Sequence, residues 1–468
     1  MKRSEFRAIH NVIQKCVTDS PYANNTFYVG ECVRDLVLGK DINSIEICVT
    51  GTEKGGSKLA NLIAEKLGIK EENANPRVME KFDIAVLRLR SALPKLGDIP
   101  IKIVQSKDRP YITNGTSNAV GLGTMYEDAC TRDLSINAMY WSVTNKRLCD
   151  ISGNGRKDLN AHIIRTAALP QKAFATDASF IFSVIRYSAD YGWGIEKETW
   201  IEICKNIHRL QNIGTARKLS ELRKILLCKN PSVAIRKLYL CGALDIILPS
   251  VAKLNGFTQG KKYDLDAFEH TLSILDKTKP IFENRMAALL CNIGKIPTKS
   301  VDVFGDVKFN RYAEESAHIA EYILKALGNA DESTEKIVTA IRLHNRFMLT
   351  SNPSNRTITK FIAQAKQENV ELCFDLIEAF NMSFKERYRI VGQVERIRNR
   401  IALHKAKEAK KIKLPINGKE IMKAFNLRKG PLVGSILDII RERCSISPKM
   451  TKAEAMEIAK EAVESKKI

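Results

Sequence analysis

Four short runs rich in β-branched residues punctuate the first third of the chain. They are "TFYVG" (26–30), "SIEICVT" (44–50), "IAVLRLR" (84–90) and "IPIKIVQS" (99–106), each of strand length and separated by helical or Gly-rich segments. Ahead of them, Phe6, Ile9, Ile13 and Val17 recur at helical spacing, which predicts a first folded helix rather than a targeting segment. The stretch "FYVGECVRDLVLGKDINSIEICVTG" (27–51) reads as strand, tight turn, short helix and second strand. From about residue 156 the strand signal fades. Long amphipathic stretches replace it, among them "SFIFSVIRYSADYG" (179–192), "RKLSELRKILLC" (217–228) and "FENRMAALLCNI" (282–293). The pattern predicts an α+β head followed by an all-helical remainder. Breaks are expected near "KNPS" (229–232), "TSNPSNRT" (350–357) and "KLPINGK" (413–419).

Charge changes the picture most. The 468 residues carry a net charge of +22, a field that attracts polyanions, of which nucleic acid is the commonest inside cells. Residues 401–468 hold 16 Lys/Arg against 8 Asp/Glu, so much of the excess lies at the C-terminal end. No apolar run reaches the roughly 18 residues of a membrane span, so no membrane partner is expected. The eleven cysteines include no C-x-x-C pair, and Cys228, Cys241 and Cys291 sit in apolar stretches. Reduced, buried thiols in an intracellular, reducing compartment, mitochondrial or nucleo-cytoplasmic, are therefore expected. The seven histidines form no His-Asp dipeptide, which leaves a metal-dependent phosphohydrolase module without support.

Four motifs follow one another in order: "VGECVRDLVLG", "EDACTRDLSINAMYW", "DISGNGRKDL" and "IIRT". Their succession resembles the head and neck of the class II CCA-adding tRNA nucleotidyltransferase and poly(A) polymerase family. The C-terminal "INGKEIMKAFNLRKGPLVGSILDII" is similar to the tail of that family's eukaryotic CCA-adding members. The resemblance implies a polymerase-β-like nucleotidyltransferase head with a mixed sheet (1–150). It further implies a helical neck that reads the incoming base (151–230), a helical body (231–400) and a basic helical tail (401–468). Lys419, Lys423, Arg428 and Lys429 are the tail cations expected to meet RNA.

The departures from the family pattern fall on the chemistry. Side chains two apart in a strand share a face, so an Asp-x-Asp pair can hold two divalent ions. The register from Gly39 places Ser44 and Glu46 at those positions, and Lys102 at the third acidic one. Asp41 is a substitute only in a different register. The Gly-Gly turn of the family is Gly30-Glu31, which brings a carboxylate to a phosphate site, while Arg34 and Asp35 remain. The family's Arg-Arg-Asp is Thr131-Arg132-Asp133. In the neck helix "TDASFIFSVIR", Asp177 persists, but Thr176, Phe180 and Ser183 replace the family's polar readers; Arg186 is expected in a structural pair, as are Arg217 and Glu221 with each other.

Residues that build the scaffold match the family, whereas those that bind metal, triphosphate and base do not. Gly30, Arg34, Arg132, Asp133 and Asp177 then read as a vestigial nucleotide site. The expected function is a catalytically silent relative that binds tRNA or another structured RNA, alone or with protein partners in a ribonucleoprotein, and needs no cofactor. The alternative is an active nucleotidyltransferase that uses Glu46 with Mg²⁺ in an altered metal site.

Overall fold

The computed structural model describes residues 1–69, 75–90, 98–110, 112–113, 116–117, 119–260, 263–347, 353–383, 395–403, 414–428, 430–446 and 450–464. The head is built on β1 (Thr26–Val29), β2 (Ile45–Val49), β3 (Arg77–Met79), β4 (Ile84–Arg88) and β5 (Pro100–Gln105). A short pair, β6 (Ile112–Thr113) and β7 (Thr116–Ser117), stands apart, and β8 (Tyr140–Ser142) and β9 (Leu148–Cys149) complete the main sheet. Its order is β3-β4-β5-β2-β1-β8-β9. Within this sheet, among the described residues, β2 and β5 alone run parallel, and their connection carries helix α3 (Gly55–Lys66), as a parallel pair requires.

Strand alternation sorts the side chains. Ile45, Ile47 and Val49 of β2 pack on one face with Ile101 and Ile103 of β5 against α3 and the first helix, α1 (Arg3–Thr18). All four apolar residues foreseen for α1 are buried. Cys48 and Val104 face the other way, in a smaller core with Phe27, Val29 and Tyr140. Glu46 and Lys102 share that second face by the period of two. Helix α2 (Glu31–Val37) starts at Gly30, whose φ of +76° is a conformation that favours glycine.

Beyond the head, helices dominate, with two small additions that the apolar pattern did not foresee. Ile163–Ile164 pairs in parallel with Gly194–Ile195, and Lys299–Val301 forms a hairpin with Val307–Phe309. Such two- and three-residue strands are too short to show a period. The break at 229–232 falls between helices Thr215–Leu226 and Pro231–Leu240, the second opened by its proline. Part of 350–357 lies outside the described residues; a helix begins at Asn355, capped by Ser354. The break at 413–419 precedes the tail helices Gly418–Phe425, Pro431–Ile446 and Lys452–Glu464, with Lys413 outside the described residues. The tail has its own core of Ile416, Ile421, Val433, Ile436, Ile440 and the small residues of its last helix. A capping box between Asn417 and Glu420 starts it, and Lys452 bridges back to Glu420.

Of the eleven cysteines, all free, Cys228, Cys241 and Cys291 are buried as expected. The body also buries a cation. Lys295 is wholly enclosed among the rings of Tyr263, Tyr312, Phe380 and Phe309, and donates to Gln259 Oε1 at 2.5 Å. Burial lowers its ammonium pKa to about 7. Burial likewise lowers His270, and His344 to about 4, with Lys295's charge adding to both. Between about pH 7 and the ordinary lysine value the unfolded chain holds a proton that folded Lys295 has lost, so this group makes stability rise with pH there. The two histidines make it fall as pH drops below their ordinary value. Melting followed from pH 5 to pH 9 should show both limbs. Lys295→Met should flatten the alkaline limb and only partly reduce the acid one, because burial is the larger cause for both histidines; a variant whose profile parallels the wild type would contradict this.

Candidate functional site

A cleft of about 420 Å³ opens where the second sheet face meets the neck. Gly30, Glu31, Ser44, Glu46, Lys102, Thr131, Arg132, Asp133, Asp177, Phe180 and Ser183 all line it. Sequence reasoning thus assembled residues spread over more than 150 positions into one site. Four foreseen positions behave differently. Ser44 lines the cleft but stands one residue ahead of β2, and Asp41 is exposed and not among the lining residues. Arg34 is buried away from the cleft: its guanidinium grips Asp35 Oδ1 at 2.8–2.9 Å and Asn137 Oδ1 at 2.9 Å. Thr176 lines a neighbouring groove instead.

Glu46 sits between two cations. Lys102 Nζ lies 3.1 Å from one carboxylate oxygen, directly across the parallel β2–β5 register, and Arg132 Nη1 lies 3.3 Å from the other. Burial alone would raise the Glu46 pKa, but Lys102, Arg132 and Lys107 overrule it and hold it at about 2. Behind this pair, fully buried Asp128 accepts from Arg132 Nη2 at 2.9 Å and Lys107 Nζ at 3.2 Å, and from the Tyr140 hydroxyl. Burial would raise Asp128 as well, yet the two cations keep it well below the carboxylate range. Sequence reasoning missed Asp128, Lys107 and Tyr140. The Asp128–Arg132 spacing of four, reaching just past the end of the helix Met125–Cys130, was the available signal.

A pair of Mg²⁺ ions needs several convergent carboxylate oxygens. Here each Glu46 oxygen already meets a cation, Ser44 is neutral, and Asp128 is committed to Lys107 and Arg132. Among the described residues no three His, Cys, Asp or Glu side chains are grouped so as to hold a metal ion. The side chains present do not fit a two-metal centre.

The neck motif does not lie on one helix, contrary to expectation. Thr176 ends a helix begun at Pro170, Asp177 is extended, and a new helix runs Phe180–Tyr191. Asp177 makes the break: its Oδ1 accepts from the Ser179 amide at 2.9 Å, a local bond that competes with helix continuation. Its Oδ2 meets Arg217 Nη2 at 2.8 Å. The expected Arg217–Glu221 pair is therefore replaced, with Glu221 turned to Lys224 at 2.7 Å. Arg186, expected in a structural pair, stacks its guanidinium 4.0 Å above the Tyr187 ring. Asp133 braces the turn that follows it, accepting from the Leu134 amide and Asn137 Nδ2.

Glu31 joins head to neck. Tyr187 donates its hydroxyl to the Glu31 carboxylate, whose pKa burial raises. Arg34 stacks on the same tyrosine at 4.7 Å, and Lys40 lies 3.7 Å over Tyr191. The side chain that replaces a family glycine is thus held by the neck helix. In the tail, Lys419, Lys423 and Arg428 lie on or beside the helix Gly418–Phe425; Lys429 lies outside the described residues.

A mixed sheet with a cleft on one face, roofed by a helical neck, defines a nucleotidyltransferase-type head. "Poly A polymerase head domain" describes the family matched by residues 26–165, and "Probable RNA and SrmB-binding site of polymerase A" that matched by residues 192–254. The two matched segments resemble domains of the CCA-adding enzyme and poly(A) polymerase family. It is 36% identical over 288 residues to the multifunctional CCA protein of Neisseria gonorrhoeae, a match covering 58% of this chain and 63% of that one. It therefore spans less than two thirds of that relative's length. A CC-adding tRNA nucleotidyltransferase of Thermus thermophilus is 25% identical over 454 residues, 92% of each chain. The fold follows that of a Bacillus stearothermophilus CCA-adding enzyme in complex with CTP, with a TM-score of 0.60 and 18% identity over the whole of both chains. Among the described residues no helix is long and apolar enough to cross a membrane.

Proposed function

We propose that this chain is an RNA-binding member of its family whose nucleotidyltransferase cleft is silent, and that tRNA or a tRNA-like structured RNA is its partner. The observation that carries the reading is Glu46 held between Lys102 and Arg132, with a neutral Ser44 at the companion position. An ammonium stands where the family's chemistry calls for a metal-binding carboxylate. Lys102 neutralises Glu46 in the folded protein and repels an arriving cation.

RNA binding draws support from three further facts: the +22 charge, the basic tail helices with their own core, and the match of residues 192–254 to a family described as a probable RNA and SrmB-binding site. Tail and body would grip phosphates and the minor groove by shape, with little base readout. A ribonucleoprotein is the natural setting for a polyanion-binding scaffold without turnover. The head (1–150), neck (151–230), body (231–400) and tail (401–468) act as successive parts of that grip.

The end-to-end match to a CC-adding enzyme favours a second reading, in which the chain adds C or A to RNA 3′ ends with Mg²⁺ at Glu46. The two readings part on nucleotide affinity. Glu31 and Phe180 occupy the cleft, and Thr131 and Ser183 supply no charge there. Titration calorimetry of the full chain with CTP and ATP in Mg²⁺ should detect binding no tighter than about millimolar. Micromolar affinity for either nucleotide would sink the silent reading.

A further inference from the structure

Beside the family cleft, across Pro110, Thr131 and Phe180, lies a second and larger groove of about 680 Å³. Its walls come from the helix Met125–Cys130, the loop at Ile151, the segment Arg165–Ala173 and the residues opening the helix Lys197–Asn206. Two large apolar side chains stand open on it: Tyr126 is 61% exposed and Leu169 64%. Ile151 adds a third, at 40%. Side chains of this size are seldom left together in water without a partner to cover them.

The charge around the groove runs against the rest of the molecule. Asp108, Glu127, Glu196 and Glu198 line it, against Arg165 and Lys172. Arg165 is already committed to Asp158 and Glu196, and Asp108 to Arg109 at 2.7 Å, which leaves Glu127 and Glu198 as the acidic side chains turned to a ligand, against Lys172. In a chain of net charge +22, this is a local acidic rim around an apolar floor. Such a rim disfavours RNA phosphates and favours cationic side chains.

The walls are also held in place before anything binds. Glu127 closes a capping box with Thr124, accepting from its amide at 2.8 Å and its hydroxyl at 2.9 Å. Asp108 accepts from the Gly121 amide at 2.9 Å, and Glu196 from the Thr199 hydroxyl at 2.6 Å. Preorganised walls reduce the ordering that a ligand must impose on binding.

From this combination we infer that the groove docks a short basic, amphipathic segment of a protein partner. Its apolar anchors would cover Tyr126 and Leu169 while its Lys or Arg side chains meet Glu127 and Glu198. The inference does not depend on whether the neighbouring cleft is silent, nor on RNA binding.

The test presents the full chain with an array of random short peptides. The expected result is selection of peptides that combine Lys/Arg with Leu or Phe. Binding should fall about tenfold or more in a Tyr126→Asp, Leu169→Asp double variant, and measurably in Glu198→Lys. All three positions are exposed, so the variants should fold, and their circular dichroism should match the wild type. Three results would overturn the inference: no selection, selection of acidic peptides, or selection that persists in the double variant. Photocrosslinking of a single-stranded oligonucleotide to Tyr126, competing with the selected peptides, would likewise assign the groove to RNA and overturn it.

Discussion

Asp128→Ala is expected to cost the head about 3–5 kcal/mol, the range for removing one partner of a buried charge network. Asp128 has a fully enclosed side chain and answers both Lys107 and Arg132, whose own side chains are 8% exposed. Without it Lys107 loses the carboxylate it donates to, and Arg132 keeps Glu46, which already serves Lys102. Asp128→Asn keeps the shape but removes the charge, and should lose most of the same stability. Because the chain has more than one core, the readout should be local. Hydrogen exchange of peptides from β2, β5 and β8 reports on the head alone. Protection unchanged in both variants would show that the network contributes little.

RNA affinity carries the second large effect. A partner gripped mainly through phosphates loses about a thousandfold or more in affinity between about 50 and about 200 mM salt, if several contacts are made. Deleting the tail from residue 414 should weaken binding to folded tRNA. That deletion leaves the head core untouched, because the tail residues pack in their own cluster. Single substitutions of Lys419, Lys423 or Arg428 should each reduce the salt slope by about one if they meet phosphates. Binding that is insensitive to salt, or absent even at low salt, would contradict the grip described.

Much of the head was legible because its signals are local. The runs around Phe27, Ile47, Val86 and Ile103 became strands β1, β2, β4 and β5, and α1 followed the spacing of Phe6 to Val17. β3, β8 and β9 were not foreseen; each is two or three residues long, and pairing with neighbours holds them rather than any intrinsic pattern. The cleft was legible through its family motifs, which fixed the register of Ser44, Glu46 and Lys102. What escaped were the partners. That Lys102 reaches Glu46 depends on the parallel β2–β5 register, a pairing between residues 56 apart. The Asp177–Arg217 pair, the stacking of Arg186 and the Tyr187–Glu31 bond depend in the same way on how neck helices cross the head. Side-chain identity predicted which residues meet at the cleft, but not which oxygen each cation would take.

Those partners turn the substitutions into a consistent account. On the proposed reading, Ser44 and Lys102 would deprive the cleft of metal ligands, while Glu31, held by Tyr187, would stand where the family places a phosphate. Restoring Ser44→Asp alone should therefore leave the cleft inactive, since Lys102 still faces Glu46. The most direct measurement incubates the wild-type chain with tRNA lacking its CCA end, labelled CTP and ATP, and Mg²⁺ or Mn²⁺. The account predicts tRNA that is bound but not extended, with no label above background. Clear incorporation that Glu46→Ala abolishes would contradict it.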